Sequence, residues 1–286
     1  MLVVAVGLLC ALIFGAGDYF GGLASRRVSP VRGVAFAGLI GLTLLTVFSV
    51  LVGGEFSGEA LLWGLLSGVA GSVAILTLYW ALAIGPMSIL SPLTALLSAI
   101  VPLAWGVVLG ERLNLVGYIA LGIALVAVVL VGFVPEKGAV RPSAKGLVIA
   151  TISGVLIGVL MILLHRAPDD SGLLPLVFNR ISYLAILWTI VLVLWLRARR
   201  RGEPAGPSAR VALWPILAAG AADATANALM IAGFRLGDLS VIAVLAALYP
   251  AGTIALAAIF LRERIAPVQW IGLALALLAA AMLALA

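Results

Sequence analysis

Long apolar stretches separated by short polar turns run through the whole chain. They show neither the two-residue alternation of a half-buried strand nor the single apolar stripe of a soluble helix. Turn residues and charges divide them into ten spans, at 2–24, 31–52, 61–84, 88–109, 113–134, 146–165, 173–196, 211–234, 239–261 and 265–285. About 20 apolar residues suffice for a helix to cross the hydrocarbon layer. In lipid each backbone amide must be satisfied within its own segment, and the dyad pattern of a barrel is absent here, so the spans are predicted to be helices. The first run lacks a basic leader and exceeds the apolar core of about 7–15 residues found in secretory signals, which makes it the first membrane helix.

Composition agrees with the pattern: 65% of the 286 residues are hydrophobic and 10% charged, against about 25% charged in a soluble domain. The single cysteine, Cys10, excludes an intrachain disulfide, and with the single histidine, His165, it excludes a His/Cys metal cluster. No cofactor is expected. The net charge of +6 has its cause in topology rather than in nucleic-acid binding. Thirteen of the 17 Lys and Arg residues fall in the odd-numbered connections, which include Arg26, Arg27, Arg32, Lys145 and the run RARRRGEPAGPSAR at 197–210. The positive-inside rule puts those connections in the cytoplasm and both termini outside a cytoplasmic (inner) membrane.

The sequence also repeats itself at a fixed offset. Gly85 and Gly237, Ser88 and Ser240, Glu111 and Glu263, Arg112 and Arg264, and Ile119 and Ile271 are each 152 residues apart. Two units follow, 1–137 and 138–286, with the seam in FVPEKGAVRPSAKG at 133–146, whose Pro, Gly and charges cannot continue a membrane helix. Five spans per unit is an odd number, so the second unit enters the bilayer from the face opposite the first. The expected fold is an all-α membrane protein of ten transmembrane helices arranged as two inverted five-helix repeats, with a site near the midplane between them.

Four stretches carry a family likeness: GAGDYFGGLASRRVSP at the end of the first span, LYWALAIGPMSILSPL from the third span to the fourth, GER at Glu111, and LRERIAPVQWIG after the ninth. The chain resembles the drug/metabolite transporter superfamily in its ten-helix EamA branch. That resemblance implies a carrier that exports, less often imports, small metabolites such as amino acids, sugars or drugs. It departs from the family pattern in GVAFAGLIGL of the second span, which has no arginine where relatives often carry one; the seventh span retains Arg180.

Polar residues inside apolar spans mark the candidate site. A carboxylate at a helix centre costs about 2.5–3.5 kcal/mol on insertion scales and turns toward protein or a wet cavity. Asp223 is such a residue, and Asn227, four positions on, shares its face. At the offset of 152 they correspond to Gly71 and Ile75, so one half supplies space where the other supplies polarity. Asp223 suits a substrate cation or a coupling proton, and equally an ion pair between helices. Arg180, beside Asn179, seeks an anion, either Asp223 or a substrate carboxylate, or else snorkels outward. With a carboxylate on Arg180 and an ammonium on Asp223, the site would suit a zwitterion.

Asp18 lies late in the first span among glycines that permit close approach or bending. Tyr79, Trp80 and Tyr249 are candidate walls of an apolar cavity, although aromatics also belong to the membrane interface. Tyr249 precedes Pro250, which removes a backbone donor and can bend the helix there. Glu111 and Glu263 are read as caps of amide-rich helix starts.

The chain has no G-x-x-x-x-G-K-[ST] loop and no nucleophile-base pair, so neither an ATP-driven pump nor an enzyme is expected. A secondary transporter moving amino acids or related amphipathic or cationic compounds by alternating access is the reading. A proton is the candidate coupling ion, the lipid bilayer the surroundings, and a monomer or homodimer the assembly. A channel or lipid-flipping protein is the alternative.

Overall fold

The structure is a computed structural model that describes residues 1–25, 27–84, 87–132, 142–202, 209–260 and 266–285. The side chain of Tyr79 lies outside the described residues, as do Glu263, Arg264 and most of the predicted seam. Eleven α-helices follow one another: α1 (Leu2–Ser25), α2 (Pro30–Val52), α3 (Gly58–Ile84), α4 (Met87–Val108), α5 (Leu115–Gly132), α6 (Ala144–His165), α7 (Leu174–Arg200), α8 (Leu213–Leu236), α9 (Leu239–Ala246), α10 (Tyr249–Phe260) and α11 (Pro267–Leu285). No strand occurs among the described residues.

Local chemistry sets several boundaries. Ser29 accepts a hydrogen bond from the Arg32 amide and Pro30 opens α2, while Ser143 accepts from the Gly146 amide at the start of α6. Pro250 sits in the first turn of α10, where its missing N–H costs nothing. The ninth predicted span is therefore two helices rather than one, parted at Ala247 and Leu248.

Seven helical stretches among the described residues are long and apolar enough to cross a membrane, with α9 and α10 counted together as Leu239–Leu256. Among the described residues the predicted fourth, fifth and tenth spans give shorter apolar helices, Leu93–Val108, Leu115–Val131 and Pro267–Leu283. Large apolar side chains such as Val50, Leu115 and Leu277 stand exposed on the outer faces, as a chain in contact with lipid allows. The protein is a multi-pass membrane protein.

The two halves interleave. α1 lies along α8, and α6 lies along α3; α2 packs on α8, and α7 on α3; α1 also meets α9 and α10, as α6 meets α4. The pairs α2 with α7, α4 with α9 and α5 with α11 join corresponding spans. Exchanging the halves maps these principal pairings onto themselves. Small residues permit the crossings: a Cβ on Gly15 would stand 2.5–2.7 Å from backbone atoms of Tyr249, Gly252 and Thr253, and the Thr253 hydroxyl donates to the Gly15 carbonyl at 3.1 Å.

A polar fastening joins the halves at the start of α9. Asp238 occupies the N-cap without a side-chain bond to the helix. Glu111 of the first half caps it instead, accepting from the Leu239 amide at 2.9 Å, the Ser240 amide at 3.2 Å and the Ser240 hydroxyl. Glu111 thus caps a helix start, as its residue type suggested, but that of the opposite half.

Candidate substrate-binding site

A cavity of about 250 Å³ lies where α1, α3, α4, α6, α7, α8, α9 and α10 converge. Its wall is mostly apolar, from residues such as Phe14, Leu78, Leu160 and Met230, and its charged lining side chains are Asp18, Arg180 and Asp223. Apolar walls with a few convergent polar groups are the usual form of a small-molecule site.

The polar side chains are set by helix geometry. Adjacent residues on a helix point about 100° apart, so Asn179 and Arg180 of α7 serve different neighbours. Asn179 Nδ2 donates to Ser67 Oγ on α3 at 2.9 Å, while Arg180 Nη2 donates to Asp223 Oδ2 on α8. Asn227, one turn after Asp223, donates from Nδ2 to the Asp223 carbonyl at 2.8 Å and to Oδ1 at 3.2 Å. Both oxygens of Asp223 are therefore engaged. The Arg180 guanidinium also lies 5.3 Å from the centroid of the Tyr183 ring, within cation–π range.

Exposure separates the partners of the ion pair. The Arg180 side chain is 9% exposed and that of Asp223 38%, so a solute in the cavity meets the carboxylate before the guanidinium. Arg180 Nε is buried without a hydrogen-bond partner. It faces Gly41 of α2, where even a Cβ would approach to 3.6 Å. The second span, with a glycine and no arginine at this depth, gives room to the arginine of the seventh.

Six predicted site residues line the cavity together: Asp18, Asn179, Arg180, Asp223, Asn227 and Tyr249. Gly71 and Ile75, the positions 152 residues before Asp223 and Asn227, line it too. Trp80 does not; the residue is 51% exposed, with Lys145 Nζ 5.0 Å from the ring centroid, the placing of an interfacial aromatic. Residue spacing left Phe14, Ser98 and Met161 unmarked, although all three are lining residues. Nor did it mark Ser67, which holds Asn179.

The cavity is sealed on one side. Every residue of α9 is buried, and Leu239, Ile242, Ala243 and Ala246 form one apolar cluster with Leu164, Leu176, Met230 and Phe234. This is the side of Arg235, which donates to the Gly172 carbonyl at 2.5 Å. Toward the other side α1 carries Asp18, which is exposed, then Gly21 and Gly22, beside which a Cβ would meet nothing within 4 Å.

The family model for EamA-like transporters matches residues 1–133 and again 144–285. The chain belongs to the EamA-like transporter family. An EamA-like transporter is a membrane transporter built of two copies of one unit, which accounts for the offset of 152 residues. One solved crystal structure is similar to this EamA-like chain at a TM-score of 0.78 and 18% identity, over 99% of this chain and 96% of the other; at that identity the likeness is one of fold. No curated protein matches the chain in sequence.

Proposed function

We propose that this EamA-like protein is a secondary active carrier in the cytoplasmic membrane. It exports small metabolites, amino acids or related amphipathic or cationic compounds, by alternating access. The observation that carries the reading is a charged, otherwise apolar cavity at the junction of the two halves, sealed toward the Arg235 side by α9. Substrate sites of secondary transporters lie at such a repeat interface, beside discontinuous helices whose backbone lines the cavity. The break between α9 and α10 supplies that feature, with Ala246, Ala247 and Tyr249 on the wall.

The reading takes the halves as inverted repeats of 1–137 and 138–286. The exchange of packing partners between them supports it, and so does the odd number of spans in each. The Lys and Arg bias puts both termini and Arg235 outside, so the sealed side faces outward and Asp18 lies toward the cytoplasm. A volume of about 250 Å³ is below that of sites for drug-sized ligands and favours a single small metabolite. No catalytic role is assigned to any residue of the cavity.

Counterflow in proteoliposomes tests the proposal. Preloading with unlabelled solute should drive transient, saturable accumulation of the labelled solute, and Asp223→Ala should abolish it. Flux linear in concentration without counterflow would replace the carrier with the channel or lipid-flipping alternative.

A further inference from the structure

Three charged side chains line the cavity, and they do not balance. Asp18 and Asp223 carry two negative charges against the single positive charge of Arg180. The guanidinium is committed to Asp223, whose second oxygen takes the Asn227 amide. Asp18 makes no hydrogen bond or ion pair with any described residue. The titratable groups that act on it are Asp223 from α8, with Arg180 of α7 behind it, and Tyr249 from α10. α9 and α11 contain no charged residue, and α2 only Arg32, in its first turn. A carboxylate about 10 Å short of the end of a membrane helix, exposed toward the cavity mouth and paired with no described side chain, is free to take a proton or a cation.

Resting on the carrier reading above, we propose that Asp18 sets substrate charge and stoichiometry: the cavity takes a small monocationic amine on Asp18 in exchange for one proton, while Arg180 and Asp223 stay paired. On loading, the Asp18 carboxylic acid releases its proton to water and its carboxylate binds the ammonium, and no other bond changes. On unloading at the other face, a proton from water returns to the carboxylate and the ammonium leaves. The cavity is neutral in both forms, so the exchange moves no net charge. Phe14 and Tyr249 on the wall suit the apolar body of such an amine and the face of its ammonium. A free carboxylate in the solute has no counterpart unless it displaces Asp223 from Arg180.

Three probes of like shape and different charge test this on the full chain: 2-phenylethylamine, phenylalanine and 3-phenylpropionate. Titration calorimetry in two buffers of different ionisation enthalpy reads both affinity and protons released. The amine should bind about tenfold or more tighter than phenylalanine, whose carboxylate finds the Arg180 guanidinium already taken by Asp223, with one proton released per molecule. Asp18→Asn should weaken amine binding about tenfold or more, the margin of one charge-assisted hydrogen bond, and lose the proton release while unfolding at the wild-type temperature, and Asp18→Glu should restore both. In liposomes, amine flux should be unaffected by an imposed voltage.

Proton release that survives Asp18→Asn, amine binding no tighter than that of phenylalanine, or binding of none of the three overturns the proposal. Saturable counterflow of phenylalanine or phenylpropionate, indifferent to Asp18, would remove this role and leave the carrier standing. Absence of saturable flux for every solute tried would remove the carrier reading itself.

Discussion

Glu111→Ala probes the fastening between the halves directly. The carboxylate accepts from the Leu239 and Ser240 amides and from the Ser240 hydroxyl, and each bond to a charged acceptor is worth about 1.5–3 kcal/mol. The hydroxyl has a second acceptor in the Leu103 carbonyl at 3.4 Å, so its loss is partly made good. The two amides have none, because the Asp238 side chain makes no cap bond and α9 is buried throughout. Glu111 itself is partly exposed, and water entering the vacated space recovers some of the loss. The expected destabilisation is about 2–4 kcal/mol, in the range of a lost N-cap and above it. Glu111→Gln, which retains one carbonyl acceptor, should lose about half as much. Reversible unfolding in mixed micelles, followed by circular dichroism, measures both. A Glu111→Ala protein within about 0.5 kcal/mol of wild type, the scatter of ordinary surface substitutions, would refute the cap as a fastening.

Other outcomes follow from the same geometry. Burial and the neighbouring Glu111 charge raise the pKa of Asp238 above the ordinary carboxylate value. The folded state therefore holds that proton more tightly, and stability is lost as pH climbs from the unfolded pKa through the folded one. Asp238→Asn should accordingly stabilise the protein at neutral pH, with the gain vanishing in acid, which thermal melts across a pH series would show. Arg180→Ala should cost about 1–3 kcal/mol, less than a sealed ion pair because the Asp223 carboxylate reaches the cavity. Arg180→Met combined with Asp223→Leu should recover most of that stability and none of the transport. Gly15→Ala would press a methyl against the α10 backbone and should cost about 1–3 kcal/mol of overpacking, read by thermal unfolding of the purified protein.

The spans were legible because lipid leaves no alternative to long apolar helices, and apolar length is visible without knowledge of packing. The break in the ninth was not, since Ala247 and Leu248 are as apolar as their neighbours and only Pro250 hinted at it. Asp223, Asn227 and Arg180 stood out because charge at membrane depth needs a reason, and the fixed offset pointed to Gly71 and Ile75 on the facing wall. Trp80 illustrates the opposite case: an aromatic is at home in a cavity and at the interface, and residue type carries no direction. Ser67 gave no signal, because a serine can satisfy its hydroxyl on its own helix, as this one does with the Gly64 carbonyl. Glu111 was readable as a cap, yet which amides it reaches depends on how the halves interleave, and that is a tertiary fact.

The unlike walls of the cavity have a kinetic corollary. Asn179, Arg180, Asp223 and Asn227 come from the second half, whereas the first contributes Asp18 beside Gly71 and Ile75. A carrier whose two protomer-like units were chemically equal would show the same half-saturation concentration whichever compartment held the solute. On the carrier reading proposed above, the unit that rocks outward takes a different set of ligating groups with it than the unit left behind. Half-saturation measured with the solute inside and outside should therefore differ, giving the protein a preferred direction of loading that no ion gradient imposes.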